Sequence, residues 1–211
     1  MLRLIRLAIM IVREEGLLAV ARRFAFRYTR IHPFTVFRLD LRDPISVGNA
    51  PIGIDLHEAT LAEVRQLRQG RTDLPEYFFR DETERLDRCW VGLAEGRLGF
   101  IAWVSMRGSS GMVRVGPTDA ELAYIYCLDE LRGRRLTAHA VSVIAAALRA
   151  EGATALLAVP HSRNPAIVRS FERCGFTQLA RIRRFGGLIT WPRTPLDLSR
   201  QTGVQPPSSR T

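Results

Sequence analysis

From Glu121 the chain alternates, with Leu122, Tyr124, Tyr126 and Leu128 to one side and Ala123, Ile125 and Cys127 to the other. That is the period of a strand covered on both faces. After Asp129 and Glu130 the period lengthens: Leu136, Ala140, Val143, Ile144 and Ala147 recur at helical spacing, and Gly152 supplies the stop. The unit is strand, short turn, helix. A second unit follows, in which Ala153 to Val159 is an apolar strand and Asn164 opens a helix that runs into Cys174-Gly175-Phe176. Its signals are an Asn N-cap, a proline at the first helical position and a terminating glycine.

Elsewhere the pattern is weaker but still divides the chain. Residues 35–51 read as an edge strand, Thr35 to Leu41, with apolar and charged residues alternating, followed by a linker. Ile52 to Leu56 predicts the first strand of a domain spanning 52–195, and Thr60-Leu61-Ala62-Glu63 a capping box opening a helix that ends near Gly70. Tyr77, Phe78 and Phe79 fall in a helical stretch. Trp90 to Val104 predicts a hairpin turning at Glu95-Gly96, and the glycine-rich Ser105 to Ala120 a mobile loop. Leu179 to Arg184 and Leu188 to Trp191 form a last strand pair joined through Gly186-Gly187, and residues 196–211, rich in Ser, Gln, Pro and Thr, are expected to be disordered.

Residues 1–34 stand apart as a basic, apolar, helical arm. Within residues 1–31 seven arginines face only Glu14 and Glu15, a surplus of five positive charges out of a net +10. Leu7 to Val12 is far too short an apolar run to span a bilayer, which takes about 20 residues. Arg13, Glu14 and Glu15 interrupt it where a signal peptide would stay apolar. The arm therefore either packs on the domain or meets an anionic membrane surface through its arginines.

Charge and cysteine content narrow the chemistry. All 31 basic residues are arginine, which reads as codon bias and weakens the high charge as a sign of nucleic-acid binding. The three cysteines, Cys89, Cys127 and Cys174, show no disulfide or zinc spacing, so a reducing cytoplasm is expected, at the inner face of the membrane if the arm meets lipid. The turn between the first strand and its helix, Leu131-Arg132-Gly133-Arg134-Arg135-Leu136-Thr137, places a glycine and three arginines at a helix start. Unpaired N–H groups and the positive dipole end make that an anion cradle, most plausibly for phosphate.

This order of elements resembles the GNAT-type acyl-CoA N-acyltransferases, a bacterial enzyme being expected here, over roughly Ile52 to Trp191. The resemblance rests on a strand entering an Arg-Gly-basic turn and long helix, then a strand, the Asn164-initiated helix and the Gly175-Phe176 exit. Arg132 matches the first place of the family's turn motif, whereas Arg135 and Thr137 stand where glycine or alanine is usual. The resemblance implies an α/β fold with a mixed, mostly antiparallel sheet splayed at the cofactor strand pair, near Tyr126, Cys127 and Leu128 against Ala158 and Val159. It implies acetyl-CoA or another acyl-CoA as co-substrate, held by Cys127, Leu128, Leu131 to Thr137 and Asn164, and a small-molecule or peptide amine as acceptor, with Tyr77, Phe78 and Phe79 either core or, as in the family, a wall of the acceptor pocket. Glu121 is the expected base, with Tyr126 and His161 as further candidates for proton handling. Phe171 occupies the place where many members carry the tyrosine that protonates the leaving thiolate. Two rival readings are a degenerate member that binds CoA without turnover, and a basic protein that binds membrane surfaces or nucleic acid.

Overall fold

The computed structural model of the protein describes residues 31–45, 47, 49–84, 86, 88–106, 112–185, 189–191 and 196–197. The arm over residues 1–30 and the tail beyond Asp197 lie outside the described residues. The chain forms β1 (Ile31–Asp40), β2 (Ile54–Ala59), α1 (Leu61–Arg68), a 3₁₀ turn (Glu76–Phe79), the short α2 (Arg80–Thr83), β3 (Arg88–Ala94), β4 (Arg97–Ser105) and β5 (Val113–Arg114). There follow β6 (Asp119–Cys127), a second 3₁₀ turn (Asp129–Leu131), α3 (Leu136–Ala150), β7 (Ala155–Ala158), α4 (Pro165–Arg173), β8 (Thr177–Phe185), β9 (Ile189–Trp191) and β10 (Leu196–Asp197).

One sheet, in the order β2-β3-β4-β6-β7-β1-β8-β9, carries the fold. Every neighbouring pair is antiparallel except β6–β7. The parallel pair is the one joined by α3, as a strand-helix-strand crossover requires. The mixed, mostly antiparallel α/β fold expected from the sequence is therefore present.

Local signals worked where a backbone group had to be satisfied. Thr60 caps α1 by accepting from the Glu63 N–H at 3.2 Å. The Glu63 carboxylate does not close the box, because it turns to His57 Nε2 at 2.8 Å and so ties α1 to strand β2. The β3–β4 hairpin turns through Glu95 (φ 51°) and Gly96 (φ 72°), the left-handed pair that matches the twist of the flanking strands.

Three expectations are corrected. Thr35 to Asp40 belongs to a longer strand, β1, that starts at Ile31, within the stretch read as helical arm, and lies inside the sheet between β7 and β8 rather than at an edge. Its charged residues misled, since Arg38, Asp40 and Arg42 neutralise one another where the strand leaves the sheet. The loop from Ser105 to Ala120 is partly ordered: β5 pairs in parallel with β10, and Met112 and Val113 are buried against Val36, Leu157 and Ile182. Leu196 and Asp197 thus belong to a strand, not to a structureless tail.

A β-bulge also alters β6. The register passes from Trp103↔Tyr124 to Val104↔Leu122, leaving Ala123 as the extra residue. Leu122 consequently joins Ile125 and Cys127 on the face packed by α3 and α4, while Tyr124, Tyr126 and Leu128 pack on the opposite face with α1 and the first 3₁₀ turn.

Candidate active site

Strands β6 and β7 stay paired only from Asp119↔Ala155 to Leu122↔Ala158. Beyond that point β6 continues to Cys127 bonded to β4, while the chain after Ala158 bends toward β1. There the Thr35 N–H donates to the Pro160 carbonyl at 3.0 Å and the Ser162 N–H to the Pro33 carbonyl at 2.8 Å. Pro160 has no N–H of its own to continue a ladder with β6. The two parallel neighbours splay, and the β6 backbone from Ala123 to Cys127 borders the gap.

A groove of about 1220 Å³ opens from this gap on the helix-covered side. Ile125, Tyr126 and Cys127 form one wall, the turn and the first residues of α3 a second, and α4 a third. The turn is pinned to β4: the Leu128 N–H donates to the Gly99 carbonyl at 2.8 Å, and a Cβ on Gly99 would lie 2.5 Å from Leu131 Cδ1. Gly99 was not singled out from the sequence, although an isolated glycine inside an apolar strand is a sign of such close approach.

Gly133 takes φ +79°, and a Cβ there would meet no protein atom within 4 Å. The backbone is therefore exposed to whatever fills the groove. Arg135, the residue before α3, is itself left-handed (φ 59°, ψ 17°) and provides no side-chain cap, and Leu136 and Thr137 after it line the groove. Arg135, Arg169 and Arg173 are exposed along it, while Arg132 donates to the Cys127 carbonyl at 3.3 Å and pairs with Asp129 at 2.8 Å. An uncapped helix start, an open glycine and exposed guanidinium groups suit a diphosphate.

Of the expected cofactor residues, Cys127, Leu131, Arg132, Gly133, Arg135, Leu136, Thr137 and Asn164 line this groove. Leu128 is instead buried in the core, and Arg134 is exposed without joining the lining. Asn164 also caps α4, accepting from the Ile167 N–H at 3.3 Å. Phe171 is only 3% exposed, packed against Phe37 and Phe176, so Ile167 and Ser170 present α4 to the groove in its place. Burial pushes the Cys127 thiol up to about 11, which leaves it a poor nucleophile at neutral pH.

The proton-handling candidates are dispersed. Glu121 lies in the paired part of β6, opposite Ser105 and Leu157, and is 1% exposed. It is not the solvated strand-end carboxylate its position in the chain suggests. His161 sits on the β1 side of the splay, edge-on to Phe34 and His32, with Nδ1 accepting the Arg163 N–H at 3.1 Å. Burial and the neighbouring His32 and Arg163 hold its pKa below the ordinary value. Tyr126 is the one member of the three in the unpaired stretch, and it lines the groove.

On the face opposite the helices, Tyr124 and Tyr126 meet Tyr77, from the aromatic stretch singled out in the sequence, and Arg80 and Glu84, which were not. Tyr77 stacks on Tyr126 with centroids 4.9 Å apart at 14°. The Tyr124 hydroxyl donates to Glu84 Oε1 at 2.6 Å. The Arg80 guanidinium lies 4.6 Å from the Tyr124 ring and 5.3 Å from the Tyr77 ring, while its nitrogens pair with Glu76 at 2.9 Å and Glu84 at 3.3 Å. Burial and the Glu84 carboxylate raise the Tyr124 pKa, so this hydroxyl stays protonated. Trp103 Nε1 holds the Tyr77 carbonyl at 2.9 Å and fixes the wall to β4.

Sequence comparison assigns this splayed pair, with a helix N-terminus at its mouth, to a known family. Residues 56–176 match the model of the acetyltransferase (GNAT) family, and the chain belongs to that family. Among solved structures, it resembles one assigned to the GNAT family from Novosphingobium aromaticivorans (21% identity, TM-score 0.50, 73% of this chain and 63% of that one). It also resembles a GCN5-related N-acetyltransferase from Sphaerobacter thermophilus (16%, 0.54, 86% and 59%). A third is the glucosamine N-acetyltransferase region of a fungal multi-domain β-N-acetylglucosaminidase (14%, 0.57, 78% and 22%). At these identities the likeness is one of fold. The chain spans about three-fifths of the length of the first two. No curated protein matches it in sequence.

Proposed function

We propose that the protein is an acyl-CoA-dependent N-acyltransferase that moves an acetyl or other acyl group from acyl-CoA to an amine. The observation that carries this reading is the unpaired β6 backbone from Ala123 to Cys127, which opens directly onto a groove ending at Gly133 and the uncapped start of α3. An extended pantetheine can pair with such a strand, and the cradle suits its diphosphate. The gap then leaves the thioester between the groove and the tyrosine face, where a backbone N–H can support the oxyanion.

A CoA-binding member without turnover is the second reading. It is favoured by the burial of Phe171, which brings no hydroxyl to the groove, and by arginine at position 135. A thiolate departs with modest assistance, since thiols ionise near pH 8.5, so a missing acid alone does not forbid transfer. Thermal denaturation with acetyl-CoA tests binding: at a hundred times its Kd the ligand should add about 2.7 kcal/mol, and Gly133→Asp should remove the shift. Thiol release with an amine panel separates the two readings. No CoA-induced shift in the wild-type chain would sink both.

A further inference from the structure

The face of β6 opposite the cofactor groove carries a sign of its own. Arg80 lies against the Tyr124 ring, and its terminal nitrogens are taken up by Glu76 and Glu84 while its plane covers the rings of Tyr77 and Tyr124. Counting Glu76, Glu84 and Arg80, the cluster keeps one excess negative charge, and Glu121 on β6 adds its field at Tyr124. Arg68, the next guanidinium along this layer, is buried against Asp81 at 2.6 Å. Arg132 reaches no closer than 5.9 Å to the Tyr126 ring and is paired with Asp129. The aromatic faces here already hold one guanidinium, and a cation stacked on rings beside a carboxylate is a stable arrangement.

On the reading of the groove as the acyl-CoA site, we infer that the acceptor is a cationic primary amine on a flat apolar body, an arylalkylammonium, whose body packs on the Tyr77–Tyr126 stack and whose ammonium docks against Glu84. Tyr124 is a positioning residue: its hydroxyl fixes the Glu84 carboxylate at 2.6 Å. Arg80, with its terminal nitrogens on Glu76 and Glu84, is not offered to an acceptor carboxylate. An acceptor carboxylate would have to displace one of these glutamates, which disfavours amino acids and acidic peptides.

The proton balance follows. The ammonium gives its first proton to Glu84, whose side chain is 24% exposed and passes it to water. The free amine attacks the thioester carbonyl, forming the C–N bond. As the C–S bond breaks, the second proton leaves the tetrahedral nitrogen for the departing thiolate, yielding amide and free CoA. No residue at position 171 is needed.

The test uses the full chain and two probes of similar shape, phenethylammonium and 3-phenylpropionate, titrated calorimetrically with and without CoA. Phenethylammonium should bind in both cases and the carboxylate in neither. With acetyl-CoA, phenethylamine should be acetylated in preference to glutamate. Glu84→Gln should weaken phenethylammonium binding at least about tenfold, the scale of a lost charged hydrogen bond. Tyr124→Phe, which leaves Glu84 in place, should weaken it by a smaller factor. Binding of 3-phenylpropionate, preference for glutamate, or unchanged affinity in a folded Glu84→Gln protein each overturns the inference. Failure of CoA to bind overturns the acyl-CoA reading instead, while the amine titration on the free chain still decides this one.

Discussion

The two faces of strand β6 differ in both charge and construction. On the helix side, Arg135, Arg169 and Arg173 stand exposed along a groove whose other contributions are backbone: an open glycine and an uncapped helix start. On the far side, carboxylates and tyrosine rings are bonded to one another, and the single arginine among them is neutralised. The first face combines exposed cations with open backbone, which suits an anion of high charge. The second is bonded within itself but keeps a partly exposed Glu84 carboxylate, aromatic surface and a small negative excess. A strand bordering an open gap can serve two substrates of opposite charge without their fields cancelling, because its alternate side chains point to opposite faces.

Substitutions that touch one face only should separate the two. Trp103→Phe leaves the buried Tyr77 carbonyl without its donor and should lower stability by about 1–3 kcal/mol in urea unfolding, while the response to CoA persists. A matching loss of CoA binding would mean that the faces are coupled through β4. Arg135→Gly should do the reverse. It relieves a left-handed non-glycine residue and should raise stability by about 1 kcal/mol, yet removes a groove cation and should weaken CoA binding severalfold. Loss of stability instead would show that the Arg135 side chain holds the turn.

The smallest effect concerns His57, which bonds Glu63 and so ties strand β2 to α1. Glu63, and more weakly Asp55, raise its pKa above 6.5. Folding therefore favours the protonated ring: the contribution is complete below pH 6.5 and fades as pH rises through the higher folded value. Unfolding midpoints between pH 6 and 8 should fall more for the wild type than for His57→Gln. Parallel slopes would show the pair to be energetically idle.

What the sequence revealed follows the range of the interactions involved. Helix α3, helix α4 with its Asn164 cap, and the β3–β4 turn are specified by residues within a few positions of one another, and their periods and caps were legible. The splay was expected in its place only through the resemblance to the family, which those two helices carry. The facing of Leu122 was not legible, since a one-residue bulge at Ala123 leaves no compositional trace. The family resemblance pointed to the Tyr77 stretch, but its partners were not legible: Glu84 and Tyr124 are 40 residues apart, and Trp103 and Tyr77 are 26 apart. Glu121 matched a family position but not an environment, because exposure depends on what covers a strand.

Strand β1 has a consequence for the order of assembly. It leaves the ribosome before any other described strand, yet its two neighbours, β7 and β8, are made near the end; 127 residues separate Thr35 from its partner Ser162, and 139 separate Arg38 from Thr177. It also precedes the span matched by the family, 56–176. During synthesis β1 must wait with an apolar face unsheltered while the strands between are completed, and so long a closure slows folding. Trimming the chain to its family-matched core would therefore remove β1 together with β8 and β9 and leave β7 as a bare edge, instead of removing an ornament.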